Sequence, residues 1–348
     1  MKPSGPFARS STNWQPNEMV NLNPQSAIPN PQSPIGNPQS PEFSVVITCY
    51  FEEKSIDEFY GRLSKALEAL GRSYEIIFVN DGSTDKTFEH LKAIFEKDPK
   101  VSAVFDLFKN AGQAAAMTAG FTHARGRHFV FMDSDLQLDP GELPLLVAKY
   151  DEGYDVVSGC RRNRRDSLSR ILPSRIANMI MRKVSKSKLT DFGCTFKVYN
   201  AALIRAFDYG PFKPWRPAYV IAQAQRCVEV PITHHPRKYG KSGWTFRKLF
   251  AYNMDNLVGV TDRLFQYLSV FCLIFALLFV ARIILAWVLP FSILTQITNG
   301  LILNVLVLSL VMILGVLSVV GEFLIRTYNT TQRYPAYIIR EIIQRWKQ

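Results

Sequence analysis

Apolar residues in this chain fall into short continuous runs separated by stretches of helical periodicity, beginning near Phe43. Ser44-Val45-Val46-Ile47-Thr48-Cys49 has the length and composition of a strand buried on both faces. After it Phe59, Leu63, Ala66, Leu67 and Leu70 recur at helical spacing, and Gly71 is a stop signal. Glu75-Ile76-Ile77-Phe78-Val79 reads as a second strand and Asn80-Asp81-Gly82-Ser83 as its turn. A helix is expected over 84–95, a strand over 101–107, a helix over 114–124 and a fourth strand over 128–132, closed by Asp133. Asp155-Val156-Val157-Ser158 is a further strand. Strands alternating with helices predict an α/β domain with a mostly parallel sheet. Ligands of such sheets bind outside the carboxyl ends of the strands, and the polar clusters of this chain sit at those ends.

The pattern changes at both ends. Residues 1–42 are rich in Pro, Asn, Ser and Gln and show no periodic apolar face. They cannot bury enough surface to fold alone, which predicts a disordered arm. They also lack the apolar core of a signal peptide. Two long apolar segments, 264–289 and 301–325, are each long enough to cross a hydrocarbon layer about 30 Å thick as a helix. Arg282 in the first is expected to snorkel to a headgroup. The 241–263 stretch interleaves Trp244, Phe246, Leu249, Phe250, Met254, Leu257 and Val258 with Arg247, Lys248 and Arg263, as an amphipathic juxtamembrane segment would. The connection 290–300 carries no Lys or Arg, whereas 326–348 holds Arg326, Arg333, Arg340, Arg345 and Lys347. The positive-inside rule therefore puts the domain (43–240) and a basic tail (326–348) on the cytoplasmic side.

Composition narrows the chemistry. The net charge is +12, which suits nucleic acid, an anionic membrane or phosphorylated substrates. The apolar segments favour the last two. No zinc-finger spacing, basic helix or RNA-binding aromatic motif supports nucleic acid. Five cysteines in no CxxC pair argue against a disulfide framework or zinc site. Two spans are too few for a monomeric pore.

Four clusters can carry chemistry. Asp133-Ser134-Asp135-Leu136-Gln137 places two carboxylates two residues apart directly after a strand, where they can converge on Mg²⁺ or Mn²⁺ bridging a diphosphate. A solvated acidic turn is the bland alternative. Asn80-Asp81-Gly82-Ser83-Thr84-Asp85 is a turn and helix cap, with Asp81 available to a base or ribose. Arg161, Arg162, Arg164 and Arg165 follow another strand, as a solvated face or as phosphate ligands. Arg237-Lys238-Tyr239-Gly240-Lys241-Ser242-Gly243-Trp244 precedes the membrane segments and suits either anionic lipid or the phosphate of a lipid substrate.

Taken in order, Asn110-Ala111-Gly112-Gln113, Met117-Thr118-Ala119-Gly120-Phe121, Asp133 to Gln137, Asp151-Glu152-Gly153-Tyr154-Asp155-Val156-Val157, Thr190-Asp191-Phe192-Gly193-Cys194, His235 to Ser242 and Gly321-Glu322 resemble family 2 glycosyltransferases of the polyprenyl-phosphate type. This group includes the dolichol-phosphate mannose synthases, and the likeness is strongest to the undecaprenyl-phosphate 4-deoxy-4-formamido-L-arabinose transferases. It spans nearly everything from Phe43 to the end.

The resemblance implies a GT-A (Rossmann-like, mostly parallel) catalytic domain followed by two transmembrane helices in a bacterial inner membrane. It also implies a divalent metal, Mg²⁺ or Mn²⁺, and inverting transfer of a sugar from a nucleotide sugar, taken as UDP-linked, to polyprenyl phosphate. The partners expected are donor, acceptor and membrane lipid, with no nucleic acid; homo-oligomerisation stays open. Tyr50, Glu52, Asp81, Gly112, Gln113, Asp133 and Arg161 fall at donor-binding positions. Asp133, Asp135 and Gln137 fall in the metal motif, Asp135 and Asp191 at catalytic positions, and Arg237, Lys241 and Ser242 where the acceptor phosphate is held. Asp191 is expected to act as a base or only to orient the site. The usual Pro-x-Tyr-Asn-Glu loop reads Thr48-Cys49-Tyr50-Phe51-Glu52 here, and the usual double Asp reads Asn80-Asp81. The alternative reading is a catalytically weak, membrane-anchored nucleotide-sugar-binding partner, supported by Thr48 and Asn80. Gln344-Arg345-Trp346 lies after the membrane segments without the spacing of a processive synthase motif, and is taken as chance.

Overall fold

The computed structural model describes residues 40–162, most of 178–207, 214–239 without 216, isolated positions between 270 and 281, and residues 291–331 and 334–346. The expected N-terminal arm, the juxtamembrane segment and most of the first apolar run lie outside the described residues.

Eight strands form one sheet: β1 (Phe43–Cys49), β2 (Tyr74–Asn80), β3 (Val101–Leu107), β4 (His128–Asp133), β5 (Val156–Arg162), β6 (Lys197–Asn200), β7 (Cys227–Thr233) and β8 (Ile339–Gln344). Their order is β7-β5-β6-β4-β1-β2-β3-β8. Strands β1 to β4 are mutually parallel, β6 runs antiparallel to β4 and β5, and β8 runs antiparallel to β3. The chain winds outward from β1 to β3, then crosses back to lay β4 on the other side of β1. The reversal opens a crevice between the carboxyl ends of β1 and β4, where α/β sheets bind ligands.

Side-chain alternation sorts the core into two layers. Val45, Ile47 and Cys49 face α1 (Ile56–Ala69), α2 (Thr87–Lys97) and α4 (Leu143–Tyr150) through Phe59, Leu63, Leu91 and Leu146. Val46, Ile77 and Val79 face α3 (Gln113–His123), α5 (Ala201–Arg205) and α6 (Pro217–Gln223). Helix α3 lies so close to β1 that a Cβ at Gly120 would meet Val46 Cγ1 at 2.3 Å. That approach fixes the amino end of α3, with Gly112 and Gln113, over the crevice. Helix α2 starts at Thr87 rather than 84, because Asp85 turns back to accept from Thr87 N at 3.1 Å.

Helix α7 (Phe291–Thr331) has 41 residues, about 62 Å at 1.5 Å per residue. Within it Leu308–Ile325 is long and apolar enough to cross a membrane, and Leu308, Leu310, Ile313, Leu314, Leu317 and Leu324 are exposed. Two sequence expectations change here. The uncharged 290–300 stretch is helical from Phe291 on, because it contains no proline after Pro290 and no breaker before Gly300. The 326–348 tail is not simply a basic extension. It returns as β8, pairing Ala103 with Gln344 and Phe105 with Ile342, and Trp346 packs against the second core layer. The alternation in Ile339-Arg340-Glu341-Ile342-Ile343 is too irregular to announce a strand from sequence.

Candidate active site

Asp133 ends β4 and lies in register with Thr48 of β1. Its Oδ1 accepts from Thr48 Oγ1 at 3.2 Å and from Gln113 Nε2 at 2.5 Å, and Thr195 also donates to the carboxylate. Burial, and then the charge of Asp135, push the Asp133 carboxyl above the usual carboxylate range. Asp135 accepts from Gln137 N at 3.1 Å through Oδ1 and from Arg237 Nη2 at 2.8 Å through Oδ2. The residue between them and Gln137, Leu136, has a left-handed backbone with φ 57°. A branched residue pays for that conformation only where its surroundings hold it.

Arg237 reaches Asp135 because its segment runs beside the Asp133–Gln137 turn. His235 N donates to Gln137 O at 2.8 Å, and Leu138 and His234 form an antiparallel bridge. Gln137 thus enters the site through both backbone groups.

The other wall is the 50–53 loop. Phe51 N donates to Ser83 Oγ at 3.0 Å and Glu52 N to Thr87 Oγ1 at 2.9 Å. Phe51 is again left-handed, with φ 58°. Its ring and that of Tyr50 are both exposed and meet edge to face. The Glu52 carboxylate is buried, accepts from Ser55 Oγ and is raised to about 7. Burial is the main cause; Asp135 and Asp133 push the same way, and Arg237 opposes. Glu52, Asp133 and Asp135 therefore act on one another across one crevice, with Arg237 set against Asp135.

Asp81 holds the third loop. Its Oδ1 accepts from Ala111 N at 2.7 Å, and its Oδ2 from Gly112 N and Asn110 Nδ2, both at 3.0 Å. Burial raises Asp81 to about 6 against the pull of these amides. Gly82 has φ +67°, and a Cβ there would lie 2.3 Å from the Lys109 carbonyl carbon. Only glycine lets the 80–83 turn approach the 109–112 loop this closely. The Asn80 amide donates to Asp106 Oδ1 at 2.7 Å and accepts from Ser83 Oγ at 2.5 Å.

Arg161, next to last in β5, lies on the same rim. Its Nε and Nη2 donate to Asp191 Oδ2 and Oδ1, each at 2.7 Å, a bidentate pair. Glu229 accepts from Thr190 N at 2.5 Å and Asp191 N at 2.7 Å. Lys197, fully buried, donates to the carbonyls of Phe192 and Cys194, and burial lowers its ammonium.

Of the residues expected from sequence, the structure brings Tyr50, Glu52, Asp81, Gly112, Gln113, Asp133, Asp135, Gln137 and Arg237 around one crevice, with Arg161 and Asp191 alongside. Lys241 and Ser242 lie outside the described residues. Sequence reasoning missed Thr195, Glu229 and Lys197. Only Lys197, a charge inside the apolar strand Lys197-Val198-Tyr199, left a trace that could have been followed.

Among the described residues no group of three or more His, Cys, Asp or Glu side chains is arranged to hold a metal. The two neighbouring carboxylates Asp133 and Asp135 fit the alternative mode, in which one or two protein carboxylates share a Mg²⁺-type ion with substrate phosphates.

A family model described as "Glycosyl transferase family 2" matches residues 44–209. The chain is 33% identical over 307 residues to an undecaprenyl-phosphate 4-deoxy-4-formamido-L-arabinose transferase of Klebsiella pneumoniae subsp. pneumoniae, covering 86% of this chain and 93% of the relative. The transferase of the same name from Salmonella paratyphi B is 33% identical over 311 residues, with 86% and 93% covered. Among solved structures, glucosyl-3-phosphoglycerate synthase from Mycobacterium tuberculosis aligns with a TM-score of 0.48 and 18% identity, over 64% of this chain and 80% of that one. Staphylococcus aureus TarS 1–349 aligns with a TM-score of 0.43 and 20% identity, over 62% and 65%.

Proposed function

Because this chain belongs to glycosyl transferase family 2, and is a glycosyltransferase with the GT-A type of α/β fold, we propose that it moves a sugar from a nucleotide sugar, UDP-linked, to undecaprenyl phosphate at the cytoplasmic face of a bacterial inner membrane. The carrying observation is the 2.8 Å contact between Arg237 and Asp135. Arg237 precedes the apolar run 264–289 in the sequence, and Asp135 belongs to the acidic turn at the sheet's switch point. A phosphate at headgroup height would therefore meet the donor's reacting end. The names of the relatives support the same acceptor.

Asp133 and Asp135 would hold Mg²⁺ or Mn²⁺, whose charge there would stabilise the departing nucleoside diphosphate. Thr48, Gln113 and Thr195 keep Asp133 in place, so the crevice is set before substrate arrives. Tyr50 offers an exposed ring at the mouth. A phosphate monoester has a second pKa near about 6 and is largely dianionic at neutral pH, so it can attack the anomeric carbon from the face opposite the diphosphate without a strong base. Asp191, clamped bidentately to Arg161, then serves by orienting that guanidinium toward phosphate or sugar rather than by accepting a proton.

The β8 pairing supports the membrane arrangement. Strands β7 and β8 share one sheet, so residues 233 and 339 lie on one side of any membrane that α7 crosses. One crossing by α7 then requires a second between 240 and 307, which fits an apolar run at 264–289. The alternative, a catalytically weak, membrane-anchored nucleotide-sugar-binding partner, draws its support from Thr48 and Asn80. Both side chains are engaged, Thr48 with Asp133 and Asn80 with Asp106 and Ser83.

The test incubates membranes containing the protein with undecaprenyl phosphate and a panel of labelled nucleotide sugars. Label moving into the organic phase with one donor supports the reading. Label that stays aqueous with every donor, while nucleotide still binds, favours the alternative.

A further inference from the structure

The strand that follows the membrane helix touches the donor side of the site through a chain of polar contacts. Arg340 of β8 donates from Nη2 to Phe108 O at 2.7 Å, and its Nη1 lies 3.4 Å from Asp106 Oδ2. Asp106 is 3% exposed in its side chain, in the middle of the sheet's edge region. Its Oδ1 accepts from Asn80 Nδ2 at 2.7 Å. Asn80 Oδ1 accepts from Ser83 Oγ at 2.5 Å, and that same Ser83 oxygen accepts from Phe51 N at 3.0 Å. Phe51 is left-handed at φ 58° and stands between Tyr50 and Glu52.

Each link depends on the one before. A buried carboxylate needs a compensating charge; Arg340 supplies it from a half-exposed position, with Lys92 further out and Glu341 opposing. An ionised Asp106 can only accept, so it fixes the Asn80 amide with its NH₂ toward the acid and its oxygen toward Ser83. Ser83 must then donate to Asn80, which leaves its lone pairs to receive the Phe51 amide. With Asp at position 80, two carboxylates would face each other and the order would fail. The Asn80 departure from the family's double Asp is thus matched to Asp106.

We propose that Arg340 is a positioning residue for the donor loop, setting through Asp106, Asn80 and Ser83 the strained backbone of Phe51 that presents Tyr50 and Glu52. This makes the post-membrane strand part of the donor site. It rests on the reading of the 50–53 loop as donor-binding.

The experiment uses the full chain in lipid nanodiscs and compares the wild type with Arg340→Ala, Arg340→Lys, and Arg340→Ala combined with Asp106→Asn. Hydrogen exchange without substrate reads the relay alone. In Arg340→Ala the amides of 49–53 should exchange faster, and KM for the nucleotide sugar should rise on the order of fivefold with KM for the lipid unchanged. Arg340→Lys should stay near the wild type. Adding Asp106→Asn removes the charge that needed compensation while its amide oxygen can still accept from Asn80 Nδ2, and should restore both exchange and donor KM; a role confined to stapling β8 would not be rescued this way. Unchanged exchange at 49–53 in Arg340→Ala, or no rescue by Asp106→Asn, overturns the relay. Faster exchange with an unaltered donor KM overturns the donor assignment of the loop instead.

Discussion

Arg237 Nη2 and Asp135 Oδ2 stand 2.8 Å apart, joining two residues 102 positions apart in sequence. The pair puts a cation on a carboxylate expected to hold a metal. Arg237 and a divalent ion therefore compete for the same oxygen, and in the proposed function Arg237 also meets the acceptor phosphate. Arg237→Ala should bind Mn²⁺ more tightly in the absence of substrate. It should also raise the apparent KM for undecaprenyl phosphate by about tenfold, or about 1.4 kcal/mol. Titration calorimetry with Mn²⁺ and initial rates at varied lipid check the two arms. Weaker metal binding in the variant would show that Arg237 supports the metal site rather than competing for it.

Glu52 sets a pH dependence. Its carboxyl lies at about 7 in the folded protein against 4.5 ordinarily, chiefly through burial. The native state thus holds a proton that the unfolded chain releases between those values. The stability linked to Glu52 is complete below 4.5 and is lost as pH rises through about 7. Glu52→Gln cannot ionise and still accepts from Ser55. Its apparent Tm without metal should exceed that of the wild type at pH 8 and match it at pH 4.5. A variant less stable than the wild type at pH 8 would mean that the charge is compensated in the fold.

Much of this site was legible in the sequence. Continuous apolar runs mark β1 to β4, because strands buried on both faces leave no alternation to misread. Asp133, Asp135 and Asp81 stand at strand ends, where topology alone sends ligands. What stayed illegible depends on contacts between distant segments. Arg237 read equally well as a lipid contact until the His235–Gln137 pairing laid it on Asp135. Arg161 suits a solvated face or a phosphate ligand by sequence, and the structure sets its guanidinium on Asp191. The short β8 has no pattern of its own and becomes a strand because the edge of β3 is open to it.

Lys197, a residue the sequence did not announce, ties the stability of the fold to the geometry of the site. Its ammonium holds two carbonyls of the loop that carries Asp191 and Thr195. Lys197→Met keeps the length and loses the donors, leaving two buried acceptors unpaired at about 1–3 kcal/mol each. Denaturant unfolding should show a loss of about 2–6 kcal/mol, and kcat should fall because Thr195 no longer steadies Asp133. Unchanged stability and turnover would mean that the loop needs no anchor.

The β3–β8 pairing keeps β7 and β8 on one side of any membrane that α7 crosses, and the proposed cytoplasmic placement of that side is open to labelling. A cysteine at Asn299, ahead of the apolar Leu308–Ile325 stretch, should react with an impermeant thiol reagent in intact cells, and one at Gln348 only after lysis. Labelling of Gln348 from outside would place the sheet, and the site, on the wrong face.

The most direct test of the account is the identity of both products. Sugar transfer to a phosphate leaves one phosphorus in the lipid and releases a nucleoside diphosphate. Mass spectrometry of the lipid and chromatography of the nucleotide, on the wild type and on Asp135→Ala, report both at once. The account predicts a glycosyl monophosphate lipid with an equal amount of nucleoside diphosphate from the wild type, and neither from Asp135→Ala, although that variant still inserts and folds. A nucleoside monophosphate with a diphosphate-linked lipid, a water-soluble glycoside, or full turnover by Asp135→Ala would contradict it.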